Sequence, residues 1–213
     1  MKPTGNLIVI SAPSGAGKTS IVRRVLAEIP DLRFSVSYTT RPPRQGEVHG
    51  KDYFFVDAET FRKMQSGNEF YEWAEVYGQL KGTSRRFVEK HLTAGTDVLL
   101  DIDVQGAKIV KKIKNNAILI FITPPSYPEL ARRLRGRGLD DEEQIHRRLR
   151  TAYQEMGDIE MYDYFVVNED LASSCRQVES IILANRCRRE NNRQIMENIL
   201  ATFGDNADVE ATQ

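Results

Sequence analysis

Lys18 and Thr19 end a stretch of small residues near the start of the chain, and side chains of these types could bind the phosphates of a nucleotide. The stretch reads Ala12-Pro13-Ser14-Gly15-Ala16-Gly17-Lys18-Thr19. Gly15 and Gly17 allow positive φ angles, which turn backbone N–H groups toward an anion. Lys18 adds a positive charge for the β- and γ-phosphates, and the Thr19 hydroxyl can ligate Mg²⁺. We therefore predict that residues 12–19 bind a nucleoside triphosphate.

This stretch fits the phosphate-loop pattern G-x-x-x-x-G-K-[ST] except at its first position, where Ala12 replaces glycine. A methyl group is tolerable there if Ala12 keeps a negative φ. The alternative is a turn that merely joins a strand to a helix. Because such a turn does not require Lys-Thr at the start of the helix, phosphate binding is the favoured interpretation.

Two aspartates, Asp101 and Asp103, follow an apolar run at residues 98–100. An α/β sheet binds its ligands at the carboxyl ends of its strands, and alternation puts the two carboxylates on the same side of an extended chain. This arrangement predicts an acidic site beside a metal ion, with Asp101 acting through water. The alternative for Asp103 is a cap on the helix that follows it.

Four apolar runs around these motifs predict buried parallel strands. They lie at residues 7–10, 98–100, 117–122 and 164–167. Segments with helical spacing separate them, among them residues 20–29 and 105–113. The alternation of strand and helix predicts an α/β fold with a parallel sheet flanked by helices.

Two regions interrupt this alternation. Residues 33–86 are rich in aromatic and β-branched residues and predict a small β-rich insertion. Residues 126–150 contain seven arginines and predict two helical pieces joined at residues 136–138. A last helix is predicted from residue 171 to about residue 200, followed by a disordered polar tail at residues 204–213.

The composition bounds the class of protein. The 213 residues suit one compact domain, and the 30 basic residues balance the 30 acidic ones. We therefore expect small-molecule partners rather than nucleic acid or membrane. Cys175 and Cys187 lack the spacing of a disulfide frame or metal site, and no apolar run approaches the length of a membrane span. These features predict a cytoplasmic protein, and they do not indicate whether it is a monomer or a homo-oligomer.

Further strings between residues 7 and 170 resemble the guanylate kinase family. They are Ser37-Tyr38-Thr39-Thr40-Arg41-Pro42-Pro43-Arg44, Gly46-Glu47, Gly50-Lys51-Asp52-Tyr53, Glu69-Phe70-Tyr71-Glu72-Trp73, Gly82-Thr83-Ser84, Asp101-Ile102-Asp103-Val104-Gln105-Gly106 and Gly136-Arg137-Gly138. The resemblance implies a phosphate-loop core, a GMP-binding lobe at residues 37–86 and a helical lid at residues 126–150. The core would comprise residues 1–36, 87–125 and 151–213. The implied reaction transfers a phosphoryl group from ATP, with Mg²⁺, to GMP or dGMP.

The resemblance also implies roles for single residues. The GMP phosphate would be held by Arg41, Arg44 and Tyr53, and the guanine would be read by Ser37, Glu72, Thr83 and Asp103. Phosphoryl transfer would depend on Lys18, Arg44, Arg137 and Arg148, with help from Arg133. Asn168 would lie near the adenine of ATP.

One position departs from the family pattern: Lys81 stands where a tyrosine usually contacts the GMP phosphate. Its ammonium could replace the tyrosine hydroxyl or point into solvent. Two other functions compete with a GMP kinase. They are a non-catalytic guanylate-kinase-like protein-binding domain and a P-loop kinase for another phosphorylated acceptor.

Overall fold

The computed structural model describes residues 4–76, 78–136 and 141–210, with side chains up to residue 203. The first half of the chain forms β1 (Leu7–Ser11), α1 (Lys18–Glu28), β2 (Leu32–Phe34), β3 (Tyr38–Thr39), β4 (Phe54–Phe55), α2 (Ala58–Ser66), β5 (Phe70–Val76), β6 (Gln79–Ser84), α3 (Arg85–Thr93) and β7 (Asp97–Asp101). The second half forms α4 (Val104–Ile113), β8 (Ile118–Thr123), α5 (Tyr127–Arg135), α6 (Glu142–Met156), β9 (Tyr164–Val167), α7 (Leu171–Arg186) and α8 (Arg193–Glu210).

A five-stranded parallel sheet in the order β2-β7-β1-β8-β9 forms the centre of the protein. Its three middle strands are almost continuously apolar because helices cover both faces. The four strands and the α/β class predicted from the sequence are confirmed. β2 differs from expectation: Arg33 and Phe34, the first residues of the predicted insertion, pair with β7 together with Leu32 and belong to the central sheet.

Alternation along the strands divides the core into two layers. Ile8 and Ile10 of β1 pack toward α1 and α7, whereas Leu7 and Val9 pack toward α3 and α4. The sheet is thereby buried on both faces, and the carboxyl ends of β1 and β7 lie side by side, with Ile10 opposite Asp101. This register brings the start of the phosphate loop next to the predicted acidic site.

The predicted β-rich insertion is a second sheet of four strands in the order β4-β3-β6-β5. β5 and β6 form an antiparallel hairpin, with a register shift between Phe70 and Glu72. The insertion also contains α2, which the sequence analysis did not predict; Asp57 caps it by accepting a hydrogen bond from the backbone N–H of Thr60. Phe61 of α2 stacks on Phe70 and anchors this helix to the sheet.

The arginine-rich region consists of α5 and α6, as predicted. These helices share an apolar cluster that contains Leu130, Leu134, Ile145 and Leu149. α6 continues to Met156, so the boundary predicted at residue 150 lies inside a helix. Residues 137–140, and with them Arg137, lie outside the described part of the chain.

The last predicted helix is wrong in its extent. α7 ends at Arg186, a 3₁₀ turn follows at Arg189–Asn192, and α8 starts at Arg193. The side-chain amides of Asn191 and Asn192 donate to the carbonyl oxygens of Asn185 and Arg186, both at 2.7 Å. These amides satisfy carbonyl groups that a continuous helix would bond to backbone N–H groups.

α8 is helical to Glu210 and so extends into residues 204–213, where the sequence analysis predicts a disordered tail. α8 contains no proline, and its only glycine is Gly204. Little in its sequence therefore interrupts the backbone hydrogen bonds. Within the described residues, no helix has both the length and the apolar character needed to cross a bilayer.

Candidate active site

The phosphate loop joins β1 to α1 with the backbone geometry predicted from its glycines. Gly15 has φ 99° and Gly17 has φ 94°. Positive φ at non-glycine residues occurs in the described chain only at Asp31 and Asn68, so Ala12 takes an ordinary conformation. The N–H of Ala16 donates to the carbonyl of Pro13 at 3.0 Å and tightens the loop. The alanine in place of the first glycine is therefore accommodated without strain.

Lys18 lies at the start of α1 and forms an ion pair with Asp101 at the end of β7. Its ammonium also donates to the carbonyl of Ile102 at 3.3 Å. Burial by itself would lower the pKa of Lys18, but the charge of Asp101 and its hydrogen bond outweigh burial and raise the pKa. The lysine is thus fully charged at the carboxyl edge of the sheet, where a phosphate would meet it.

Asp103 caps α4, as the structural alternative predicts. Its Oδ1 accepts hydrogen bonds from the backbone N–H groups of Gln105 at 2.8 Å and Gly106 at 3.1 Å. The described contacts involve this oxygen alone. The cap fixes the carboxylate between the carboxyl end of β7 and the start of α4. The contact of Asp103 with guanine stays a prediction.

Glu72 is a buried carboxylate in the middle of the lobe. Its side chain lies in β5, only 4% exposed, and its Oε1 accepts a hydrogen bond of 2.6 Å from the Thr83 hydroxyl in β6. Burial raises the pKa of Glu72 to about 7, and the charge of Asp103 adds to the rise. Thr83 and Lys81 act in the opposite direction. The pair is therefore a preformed acceptor that changes charge near neutral pH.

Ser37 immediately precedes β3, a strand of the same sheet as this pair, and is buried. Its backbone carbonyl accepts from the N–H of Phe54, which ties β3 to β4. β3 pairs with β6 through Tyr38 opposite Gly82. The three lobe residues predicted to read the guanine thus lie on β5, on the adjoining β6, and immediately before β3, which pairs with β6.

Arg41 is held above two aromatic rings. Its guanidinium carbon lies 5.4 Å from the Tyr53 ring centre and 5.8 Å from that of Phe55. Nη2 pairs with Glu47 Oε1 at 2.8 Å, and the backbone N–H of Arg44 donates to Glu47 Oε2 at 2.7 Å. The hydrogen bond from Arg41 lowers the pKa of Glu47.

Glu47 is therefore a site residue whose role the sequence analysis missed, although it appears in one of the family strings. It fixes both the side chain of Arg41 and the turn that carries Arg44. The Arg44 side chain itself is exposed. An acidic residue a few positions after two arginines is the only signal in the sequence that could have indicated this role.

Lys81 is half-buried and faces the ring of Tyr53 rather than open solvent. Its ammonium lies 5.8 Å from the centre of the Tyr53 ring. Burial lowers the pKa of Lys81, and the charge of Lys18 lowers it further. The structure thus places Lys81 beside Tyr53, one of the residues predicted to hold the GMP phosphate.

Asn168 contacts the phosphate loop directly. Its side-chain N–H₂ donates to the Ala16 carbonyl at 2.7 Å, and its Oδ1 accepts from the Ser174 hydroxyl at 3.2 Å. The amide nitrogen also lies over Gly17, where a Cβ atom would collide with it. The side chain supports the loop, and its contact with adenine stays a prediction.

The lid arginines differ in their surroundings. Arg133 donates to Glu129 Oε1 at 2.6 Å and to the backbone carbonyl of Asn168 at 2.9 Å. Arg148 lies half-buried on α6. The contacts of these arginines and Arg137 with the transferred phosphoryl group stay predictions.

Glu155, near the end of α6, is a second residue that the sequence analysis missed. With Asp103, Gln105 and Lys108 it lines a cavity of about 290 Å³ between α4 and α6. Burial raises the pKa of Glu155 to about 7, Lys18 opposes the rise and Asp103 adds to it. No motif in the sequence indicates that this glutamate faces the cleft.

The predicted magnesium ligands are oxygens of Thr19, exposed in the first turn of α1, and Asp101. Among the described residues, no group of three His, Cys, Asp or Glu side chains could hold a metal on its own. Mg²⁺ is usually held by one or two protein oxygens together with substrate phosphates and water. The hard oxygen donors present therefore suit magnesium carried in with ATP.

Comparison with known proteins agrees with this geometry. The family model for guanylate kinase matches residues 4–185. The guanylate kinase of Geobacter sulfurreducens is 48% identical over 188 residues, covering 88% of this chain and 93% of its own. That of Nitrosomonas europaea is 47% identical over 197 residues, covering 92% and 98%.

A solved structure, that of guanylate kinase from Anaplasma phagocytophilum, superposes with a TM-score of 0.78 at 35% identity. The match covers 92% of this chain and 95% of that one. The family model spans most of the chain and the relatives align over nearly their whole length. The chain belongs to the guanylate kinase family.

Proposed function

We propose that this protein transfers the γ-phosphoryl group of ATP to GMP, and also to dGMP, giving ADP and the nucleoside diphosphate. The observation that carries the proposal is the buried Glu72–Thr83 pair, in a lobe that contacts the phosphate-loop core at Gly106 of α4. A phosphate loop alone indicates a triphosphate donor. The buried carboxylate indicates which nucleoside monophosphate accepts the phosphoryl group.

Guanine presents two adjacent donors, its N1–H and its exocyclic amine, and one carboxylate can accept from both. Thr83 donates to Oε1 of Glu72, which orients the carboxylate and leaves Oε2 and the second lone pair of Oε1 for a ligand. Adenine has an acceptor at N1 in place of the N1–H and lacks the amine at C2, so a buried carboxylate that faces this edge would be left unpaired. Such mismatches can reduce efficiency on the order of 10⁴-fold. Ser37 and Asp103 complete the proposed base site.

The GMP phosphate would bind between Arg41, Arg44, Tyr53 and Lys81. Arginine forms two parallel hydrogen bonds with phosphate oxygens, which fixes the direction of the acceptor. Glu47 holds Arg41 in its present orientation through the 2.8 Å ion pair. An arginine already held over the Tyr53 ring loses little freedom when the phosphate binds.

Phosphoryl transfer depends mainly on positioning and on charge neutralisation, and no dedicated general base is needed. Lys18 would exchange its ion pair with Asp101 for the β- and γ-phosphates. Thr19, together with Asp101 through water, would hold the magnesium ion, which neutralises phosphate charge. Arg133, Arg137 and Arg148 of the lid would reach the transferred group and exclude water.

A non-catalytic guanylate-kinase-like binding domain would not need a charged lysine at the phosphate loop. Here Lys18 is present and paired to a carboxylate at the carboxyl edge of the sheet. A kinase for another phosphorylated acceptor would not need a buried Glu72 bonded to Thr83. Both unpaired cysteines are compatible with a cytoplasmic role in purine nucleotide metabolism and GMP recycling.

Product analysis tests the proposal. Incubation with ATP, Mg²⁺ and GMP should give equal amounts of ADP and GDP by chromatography, at roughly 1–100 s⁻¹. Lys18→Met should fold but lose this turnover, since it removes the positive charge that would pair with the β- and γ-phosphates of ATP. ADP without GDP would show hydrolysis instead of transfer, and no product with any nucleoside monophosphate would favour the binding-domain alternative.

A further inference from the structure

Gly106 lies in the first turn of α4, buried and in regular helical conformation. Its φ is not among the positive values found at other glycines, so no backbone requirement explains it. Glycine at such a position costs about 0.5–1 kcal/mol relative to alanine. A contact with another part of the protein must therefore account for the missing side chain.

That contact is with Glu72. A Cβ atom built on Gly106 would lie 2.8 Å from Glu72 Oε2 and 3.3 Å from Glu72 Cδ. Its third neighbour, Ile102 Cδ1 at 3.3 Å, is the end of a flexible side chain that can move. The carboxylate is less free to move, because Thr83 holds Oε1 at 2.6 Å and the side chain is buried in β5.

The two oxygens of this carboxylate are therefore fixed by different neighbours. Thr83 binds Oε1, and Oε2 lies against the bare Cα of Gly106. Among the described residues, Thr83 is the only hydrogen-bond donor to Glu72. A methyl group at position 106 would push Oε2 away from α4 and rotate the plane in which the carboxylate accepts two parallel hydrogen bonds.

We propose that Gly106 is a specificity-determining positioning residue: its missing side chain holds space open for the Glu72 carboxylate in the orientation that reads guanine. The inference rests on the proposed function, in which Glu72 accepts from the base. It assigns part of acceptor recognition to the core helix α4. Recognition then depends on how α4 packs against β5 as well as on the lobe itself.

The test is Gly106→Ala, assayed at pH 8, where Glu72 is ionised. The KM for GMP should rise about tenfold, while kcat and the KM for ATP change less than about twofold. The melting temperature should stay within a few degrees of the wild type, because the gain in helix propensity offsets the crowding. Gly67→Ala is the matched control, since its Cβ would have no neighbour closer than 3.3 Å and its φ is negative.

A variant with a shorter carboxylate at position 72 gives an independent test, because it relieves the crowding between residues 72 and 106. Glu72→Asp withdraws the carboxylate by one methylene, so adding Gly106→Ala to this variant should raise the KM for GMP by less than about twofold. If the alanine variant folds poorly, the double variant still tests the contact. An equal penalty for Gly106→Ala in both backgrounds would overturn the inference.

Glu72→Gln separates failure of this inference from failure of the proposed function. If Glu72→Gln leaves kcat/KM for GMP unchanged, the proposed function fails and this inference fails with it. If Glu72→Gln impairs GMP turnover but Gly106→Ala behaves like Gly67→Ala, only the role of Gly106 is wrong. Equal rises in the KM values for ATP and GMP with a lower melting temperature would show a merely structural glycine and contradict the inference.

Discussion

At the scale of single residues, the ionisation of Glu72 has a direct consequence for the pH dependence of the reaction. Burial raises the pKa of Glu72 to about 7, and only the ionised form can accept both donors of guanine. GMP binding should therefore strengthen as the pH rises through 7. We expect kcat/KM for GMP to be about tenfold higher at pH 8 than at pH 6, because the ionised fraction of one group with this pKa rises by about that factor.

The control for this profile is Glu72→Gln. The GMP phosphate also ionises near pH 6, and its contribution persists in the glutamine variant. The difference between the two profiles isolates Glu72. A wild-type profile parallel to that of the variant would show that Glu72 does not ionise in this range or does not contact the base.

Lys81 allows a second prediction at this scale. If its ammonium pairs with the GMP phosphate, Lys81→Ala should raise the KM for GMP by about tenfold, equivalent to ~1.4 kcal/mol. The kcat should change little because the contact is equally present in the bound ground state. Added salt should reduce the difference, since a half-buried ion pair is partly screened. Lys81→Tyr should recover most of the loss, and an unchanged KM in the alanine variant at low salt would show that Lys81 is a bystander.

At the scale of elements, Asn168 joins β9 and α7 to the phosphate loop. Asn168→Ala removes the donor to the Ala16 carbonyl, and an unpaired buried carbonyl costs about 1–3 kcal/mol. We expect a lower melting temperature and weaker binding of every nucleoside triphosphate, whatever its base. Asn198→Ala, on exposed α8, is the control.

The adenine contact implied by the family resemblance predicts a different outcome for Asn168→Ala. In that case the KM should rise for ATP more than for ITP. Comparing the two donors therefore distinguishes support of the loop from recognition of the base.

The sequence predicts elements well where local rules determine them. Apolar runs identified four of the five central strands, and Gly15 and Gly17 indicated the positive φ angles of the loop. β2 was missed because its three residues, Leu32 to Phe34, are too short to show a pattern before the lobe begins. The break after α7 was missed because it depends on hydrogen bonds of Asn191 and Asn192, including one from Asn191 to the distant Asn6.

The candidate site shows the same limit. Motif residues such as Lys18 and Glu72 could be identified from the sequence, since the family strings contain them. The raised pKa of Glu72, the position of Glu155 in the cleft and the crowding of Gly106 against Glu72 could not. Each of these depends on packing between segments that are distant in the chain.

At the scale of the whole molecule, α5 and α6 pack around an apolar cluster of their own, separate from the two layers on the central sheet. We predict that this unit moves as a body over the bound nucleotides and excludes water. A bisubstrate analogue that contains adenosine and guanosine should therefore reduce the radius of gyration in solution scattering. An unchanged radius at saturation, with binding verified by calorimetry, would contradict closure.

The measurement that tests the central claim most directly is the ratio of kcat/KM for GMP to that for AMP, in the wild type and in Glu72→Gln. If a P-loop core and a buried glutamate together make a GMP kinase, the wild-type ratio should be on the order of 10⁴, because adenine leaves the carboxylate unpaired. Glu72→Gln should lower the ratio sharply, since an amide cannot accept from both guanine donors. Comparable efficiency with AMP and GMP in the wild type would contradict the account.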